Sequence, residues 1–357
     1  MIYLDYQATT PLAPEARDAM LRWLDGPGGT GFGNPHSPHT LGRQAAAAIE
    51  LARERVAALL PPDGKVIFTS GATEAINLAI RGAPGSGPIA VSAIEHSAVG
   101  DTADAVGPAE RWPVGGDGLV NLDYKFENKP RMIAVMQVNN EIGSVQPIVE
   151  VERRARKSGA LLLVDAVQAA GKIEVAHADM IAITGHKMHG PKGIGALWLR
   201  SGVELETTST GGGQEGSLRS GTLSPALCAG FGAAAKLAME RRNADAKHIE
   251  SLWNLALELF GNWTLNGSAD ARWHGNLNIR REGLDANRLI SEVRGVAFSA
   301  GSACASGSGR PSHVLKAIGL DDKQAKSSIR LGFGRYTTAK ELEEAASAIN
   351  HAAEAQL

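Results

Sequence analysis

The sequence predicts an α/β fold: a mainly parallel sheet covered by helices on both faces, with a smaller α+β domain toward the C-terminus. Three observations carry this. Short apolar runs alternate with amphipathic stretches through most of the chain. From about Trp263 that pattern gives way to a tighter succession of strand and helix signals. A length of 357 residues suits one large domain with a small companion and leaves ample chain to bury a core.

The elements follow in order. "KVIFTS" reads as a strand ahead of the helix "ATEAINLAIRG", "PIAVSAI" as another strand, and "RMIAVMQV" as a strand ahead of "IVEVERRARKSG". "ALLLVD", "DMIAITG" and "GALWLR" complete the large sheet. The stretch from Ser224 to Phe260, small and apolar first and charged later, predicts a long helix leading out of the large domain. Beyond it "GNLNIRR", "DANRLISEVRG", "VAFSAGSAC", "PSHVLKAIG", "SSIRLGFGR" and "KELEEAASAINHAAEAQ" alternate strand and helix. The expected division is a large domain over 15–250 and a small one from 1–14 plus 251–357. The Gly-rich pieces are short and sit at element ends, where site loops lie.

Composition narrows the function. Lys+Arg 36 against Asp+Glu 38 gives a net charge of −2 without a long block of like charge, so nucleic acid is not an expected partner. No run approaches the roughly 18 apolar residues of a membrane span, and "MIYLDYQATTPLAP" lacks a basic region followed by an apolar one. The expectation is a cytoplasmic protein with no membrane partner. Two cysteines, Cys228 and Cys304, form no CxxC and no disulfide framework, so each thiol is judged by its surroundings.

The chemistry centres on "TGHKMHGPKG", residues 184–193, which ends a buried strand on a lysine. Open α/β sheets bind ligands beyond the carboxyl ends of their strands, and "ALLLVD" and "DMIAITGHK" deliver Asp165 and Lys187 there. A lysine withdrawn from bulk water loses its proton more easily and can form a Schiff base with an aldehyde. Pyridoxal phosphate (PLP) is the common aldehyde cofactor that needs such a lysine, with a carboxylate to hold its ring nitrogen. Singly, Lys187 reads first as a solvated loop lysine and Asp165 as a turn cap, and the pair alone does not settle the matter.

"FTSGATEA" supplies a strand, a small-residue turn and a helix start, so the N–H groups of Ala72 and Thr73 can face an anion; it lacks the lysine of a phosphate-binding P-loop. "SAIEHSAV" sets His96 at another strand end, where a flat ring could cover a cofactor. "HKMH" and "HSPH" each space two imidazoles by three residues, a metal reading; neither has a further ligand at the spacing of known zinc motifs, and no metal is expected.

Read together, these pieces resemble the cysteine desulfurases, PLP-dependent enzymes of the aminotransferase class V group. The matching stretches are "YLDYQATTPLAP", "GNPHSPH", "FTSGATEAINLAI", "EHSAV", "VNNEIGSVQPI", "LLLVDAVQAAGK", "TGHKMHGPKGIGAL", "GGGQEGSLRSGT", "SAGSACASG" and "PSHVLKAIGL" with "SSIRLGFGRYTT". They run in family order over nearly the whole chain. The resemblance implies the PLP-dependent transferase fold of type I.

It also implies roles. Lys187 would carry the cofactor, Asp165 would pair with its ring nitrogen, Gln168 and Asn140 would reach its ring hydroxyl, and His96 would stack on the ring and move protons. Ala72, Thr73, Thr184 and His186 would hold the phosphate, joined by Thr222 from the second subunit of a homodimer. Arg330 would grip the carboxylate of L-cysteine, with Asn140 beside it. Cys304, in a run of small residues whose composition predicts a mobile loop, would take the sulfur as a persulfide and pass it to an acceptor or scaffold protein for iron–sulfur clusters or other sulfur compounds. Cys228, in an apolar helix, reads as packed and inert.

The loop and the following "PSHVL" resemble the longer-loop class of desulfurases. Departures are Ile76 where asparagine is frequent, Arg280 and Arg281 where an apolar or small pair is usual, and an end at Leu357 where housekeeping members carry a longer scaffold-docking tail. None of the three residues belongs to the cofactor set. Two other readings stand beside this one: a relative with different chemistry, such as a selenocysteine lyase or an aminotransferase, for which a loop thiol is not needed, and a binding module that keeps the fold.

Overall fold

A computed structural model describes residues 1–300 and 311–357. The first part of the chain contains β1 (Ile2–Tyr3), α1 (Pro14–Leu21), α2 (Thr40–Ala57), β2 (Gly64–Thr69), α3 (Ala72–Gly82), β3 (Ile89–Ser92), α4 (Ser97–Val106) and β4 (Ala109–Trp112). The middle contains β5 (Met132–Met136), α5 (Ile148–Ser158), β6 (Leu161–Asp165), β7 (Met180–Thr184), β8 (Gly195–Arg200) and the long helix α6 (Pro225–Leu259). The last part contains β9 (Thr264–Leu265), β10 (Asn276–Arg280), α7 (Ala286–Glu292), β11 (Val296–Ala297), α8 (His313–Ala317), α9 (Asp322–Lys326), β12 (Ser328–Gly332) and α10 (Ala339–Glu354).

The large sheet has seven strands in the order β2-β8-β7-β6-β5-β3-β4, with β8 antiparallel to both neighbours and the other pairings parallel. Because successive side chains point to opposite faces, each strand feeds two cores. Phe68, Ile133, Val135, Val164, Ile181 and Trp198 join the apolar cluster that includes Ile49 of α2, Val151 of α5 and Phe231 of α6. Ile67, Ala134, Leu163, Ala182 and Leu197 join a second cluster with Ile76, Leu78 and Ile80 of α3 and Val99 of α4. That is why the strands read as unbroken apolar runs.

A smaller antiparallel sheet, β12-β10-β9, and the parallel pair β1-β11 lie beyond α6. The N-terminal segment returns onto this sheet, Asp5 bridging to Gly332. Gly332 permits the approach, since a Cβ there would fall 1.7 Å from Gln7 Oε1 and 2.9 Å from Tyr6 N. The edge strand β4 and the short β1, β9 and α9 are too brief to give a periodic signal, which is why sequence patterning does not mark them. Among the described residues no helix is long and apolar enough to cross a membrane.

Candidate active site

The parallel strands all end on one side, and their carboxyl ends surround a cavity of about 940 Å³. β6 ends on Asp165, β7 ends on Thr184 and runs into a single 3-10 turn, Gly185–Lys187, and β2 leads through Ser70 and Gly71 into α3. Ala72, Thr73, His96, Asn140, Asp165, Gln168, Thr184, His186, Lys187 and Arg330 all line the cavity. Of the residues singled out in the sequence, Thr222 is exposed and does not line it. Cys304 and its loop lie outside the described residues.

Lys187 Nζ donates to the carbonyls of Gln7 and, at 2.7 Å, Ala8, so the N-terminal segment cups the amine. Asp165 is buried and accepts from Val167 N at 2.9 Å. Burial raises its pKa, opposed by the Val167 N–H and by the charges of His96 and Lys187. An aspartate in that setting gains from a cationic partner on the cavity side.

Helix α3 starts without a side-chain cap, leaving first-turn N–H groups facing the cavity at Ala72 and Thr73. Gly195 lets β8 press against that turn, because a Cβ there would meet Gly71 C at 2.6 Å. The Thr184 hydroxyl donates to Ile194 O at 3.0 Å, and the His186 ring sits 3.2 Å from Thr9 Oγ1. Burial first, and Lys187, Lys192 and Lys172 after it, push the His186 pKa down to about 4, so the ring is neutral at pH 7. His189 instead meets Pro11 O at 2.9 Å and lines a separate, smaller cavity. The two rings of "HKMH" therefore serve different partners, and among the described residues no group of three or more His, Cys, Asp or Glu is placed to hold a metal.

His96 caps α4: its Nδ1 accepts from Ala98 N at 3.0 Å, so the neutral ring carries its proton on Nε2. Of the two adjacent asparagines, Asn139 is spent on structure, donating to Ile94 O and accepting from Glu141 N and Ile142 N, while Asn140 lines the cavity. Gln168 donates from Nε2 to Gln7 O at 3.0 Å.

Arg330, in the middle of β12, is almost wholly buried. It donates to Asn140 O at 3.0 Å, Asp5 Oδ1 at 2.7 Å and Ser299 Oγ at 3.3 Å, and its Nε has no hydrogen-bond partner among the described residues. It thus holds the small sheet against the loop after β5 with donor capacity in reserve.

Sequence reasoning passes over Glu95, Glu141, His313 and Gln7, all of which line the cavity. Glu95 and Glu141 line the cavity as buried carboxylates, and their only signal is adjacency to His96 and Asn140. Glu95 accepts from Ser92 Oγ at 2.5 Å and Met136 N at 2.7 Å, and burial pushes its pKa up to about 8. Glu141 accepts from Ser312 Oγ at 2.5 Å, and His313 Nε2 lies 2.8 Å from Glu95 O, so the chain just past residue 310 is fastened to the cavity floor. Gln7 arrives from the far end of the sequence, which no local pattern could announce.

Ile76 lies one turn into α3 and contributes an apolar wall to the cavity beside Ala72 and Thr73. Arg280 pairs with Asn266 Oδ1 and the Arg281 amide with Ser327 O, both at the smaller sheet.

The observed groups fit a phosphorylated pyridine aldehyde. The cavity supplies an amine, a buried carboxylate that a ring cation would satisfy, and open helix N–H groups for an anion.

The aminotransferase class-V family model matches residues 2–344. A probable mitochondrial cysteine desulfurase of Dictyostelium discoideum is 39% identical over 96% of this chain and 80% of its own length. The cysteine desulfurase IscS of Rickettsia akari is 40% identical, covering 98% and 90%. Among solved structures, a NifS-like protein from Rickettsia africae superposes with a TM-score of 0.90 at 28% identity over 99% of each chain. SspA in complex with cysteine superposes at 0.81 with 31% identity over 95% of this chain and all of that one.

Proposed function

From the premise that this chain belongs to the aminotransferase class-V family and, within it, to the cysteine desulfurases, we infer the roles of its cavity residues. The protein is a PLP-dependent cysteine desulfurase that converts L-cysteine to L-alanine and transfers the sulfur. One observation carries the assignment of roles: Lys187, Asp165, Arg330 and the open start of α3 converge on one cavity. Bound there, PLP supplies an electron sink that makes the substrate Cα proton acidic and the bond to sulfur breakable.

Lys187 would anchor the cofactor, and its amine would take the proton from Cα and return one to the product. Asp165 would hold the ring nitrogen, Gln168 and Asn140 would face the ring hydroxyl, and His96 would cover the ring and offer its Nε2 proton to the substrate side. Ala72, Thr73, Thr184 and His186 would surround the phosphate. Arg330 takes the substrate carboxylate, as its planar fork suits.

Cys304, as thiolate, attacks the substrate sulfur. The new S–S bond forms as the Cβ–S bond breaks, its electron pair stays with carbon, and protonation there gives alanine, leaving the enzyme a persulfide. The described flanks support this: Ser299 is paired through its backbone with Arg330, and Pro311 lines the cavity.

The chain functions as a cytoplasmic homodimer in which Thr222 reaches the partner's phosphate site, and it hands sulfur to an acceptor or scaffold protein. Support comes from the segment that carries Thr222. The Glu215 side chain within it is nearly buried, accepting from Arg53 at 2.7 Å and Phe68 N at 2.6 Å, and Arg219 donates to Glu74 at 2.8 Å. Thr222 is thereby presented outward from a fixed base. The large domain spans 15–250, and the small one 1–14 plus 251–357.

The test is sulfide and alanine release from L-cysteine with a reductant, after the visible PLP band is checked in each variant. Cys304→Ser should stay yellow and make almost no sulfide, while Cys228→Ser behaves as the parent. Full activity in Cys304→Ser would hand the site to a lyase or aminotransferase reading.

A further inference from the structure

Lys172 is not used by the roles assigned above, yet it sits directly behind them. It follows the turn that begins at Asp165, closed by Ala170 N to Ala166 O at 2.8 Å and Ile173 N to Ala169 O at 3.0 Å. Gly171 has φ of +76° and is wedged between Ala238 of α6 and Met188, each within 3.3 Å of a Cβ placed there. Closing the turn in this way sends the Lys172 side chain back along it. Its Nζ donates to Gln168 Oε1 at 2.7 Å and stands 4.5 Å from the centroid of the Trp273 ring, a cation–π contact on a largely buried indole.

In its ammonium form Lys172 has donors only, so the amide end that faces it at 2.7 Å is the oxygen. The Gln168 NH2 is then forced to the other side, where it donates to Gln7 O at 3.0 Å. That same carbonyl accepts from Lys187 Nζ. The result is a continuous path, from the Lys172 ammonium to the Gln168 amide to the Gln7 carbonyl to the Lys187 amine. An amide without Lys172 behind it could turn over and present its oxygen to the cavity.

We propose that Lys172 is a positioning residue that pins the oxygen of the Gln168 amide from behind and so presents the amide NH2 to the cofactor's ring hydroxyl. The inference rests on the reading that Gln168 faces that hydroxyl. Burial, with Lys187 nearby, draws the Lys172 pKa down to about 7, so the pin acts most strongly below that pH, where the amine is an ammonium.

The experiment compares the holoenzyme of the parent with Lys172→Met, Lys172→Arg, Gln168→Ala and the Lys172→Met/Gln168→Ala double variant. Two quantities are read: the absorption maximum of bound PLP and the rate at which PLP is lost on dilution. Lys172→Met should move the band in the same direction as Gln168→Ala and speed PLP loss about tenfold, the scale of one hydrogen bond. Lys172→Arg should restore both, and the double variant should match Gln168→Ala alone. An unmoved band and release rate in Lys172→Met while Gln168→Ala shifts them would overturn the proposal, as would additive effects in the double variant. If Gln168→Ala also leaves a yellow protein unshifted, the placement of Gln168 fails, and the proposal with it. Lys172→Leu serves in place of Lys172→Met should the latter not fold.

Discussion

Arg330 of β12 and Asp5 just beyond β1 form an ion pair at 2.7 Å, and Ser299 donates to the same carboxylate oxygen at 2.8 Å. Residues 325 positions apart thus set the angle of the guanidinium that we assign to the substrate carboxylate. Asp5→Asn keeps the shape but removes the charge. It should raise KM for L-cysteine about tenfold with a much smaller effect on kcat. Steady-state kinetics with cysteine as the varied substrate check this; an equal fall in kcat with KM unchanged would contradict it.

Cys228 is fully buried in the apolar core, and burial pushes its pKa up to about 12. The thiolate is the reactive form. In a Cys304→Ser background the native protein should therefore show no thiol titratable by an aromatic disulfide at pH 8, and one per chain after unfolding in guanidinium.

His96 combines a ring facing the cavity with the cap of α4. Asparagine caps well and alanine does not. His96→Asn should keep near-parental stability and His96→Ala lose about 1 kcal/mol, whereas both lose most of the desulfurase activity. Thermal melts paired with alanine release separate the two jobs.

Glu95 binds its proton up to about pH 8 in the folded chain but releases it near pH 4.5 when unfolded. Between those values the folded state holds more protons, so this residue's contribution to stability falls as pH rises. Glu95→Gln cannot ionise. Relative to the parent, it should gain about 1–3 kcal/mol between pH 5 and pH 8.5 in urea melts of the cofactor-free proteins. A constant difference across that range would show that Glu95 does not titrate there.

Glu215 is nearly buried and clamps Arg53 and the Phe68 amide to the segment leading to Thr222. Glu215→Gln should lower stability by about 1–3 kcal/mol, since it leaves the half-buried Arg53 without its carboxylate. If the segment completes the neighbouring site, the variant should also release PLP faster, which dialysis followed by absorbance would detect.

Local chemistry was enough to read all of the large sheet but its edge strand β4 from sequence. Its strands are buried on both faces and therefore written as unbroken apolar runs, and motif residues such as Asp165, Thr184 and Lys187 sit at strand ends where the pattern stops. The same holds for Gly71–Thr73, because a helix start after a strand is a short-range feature. Glu95 and Glu141 were hidden for the converse reason: a carboxylate beside a histidine or asparagine is as ordinary at a surface as in a cavity, and burial is not encoded in neighbours along the chain.

By itself, then, the sequence determined most of the element types, the placing of Lys187 and Asp165 at neighbouring strand ends, and through its ordered motifs the family. Tertiary structure alone decided that Asp5 holds Arg330, that the Gln7 carbonyl joins Gln168 to Lys187, and that Lys172 stands behind that amide. Propensity and periodicity report on a few residues at a time, whereas these contacts exist only because the N-terminal segment and the small sheet fold back onto the carboxyl ends of the large one.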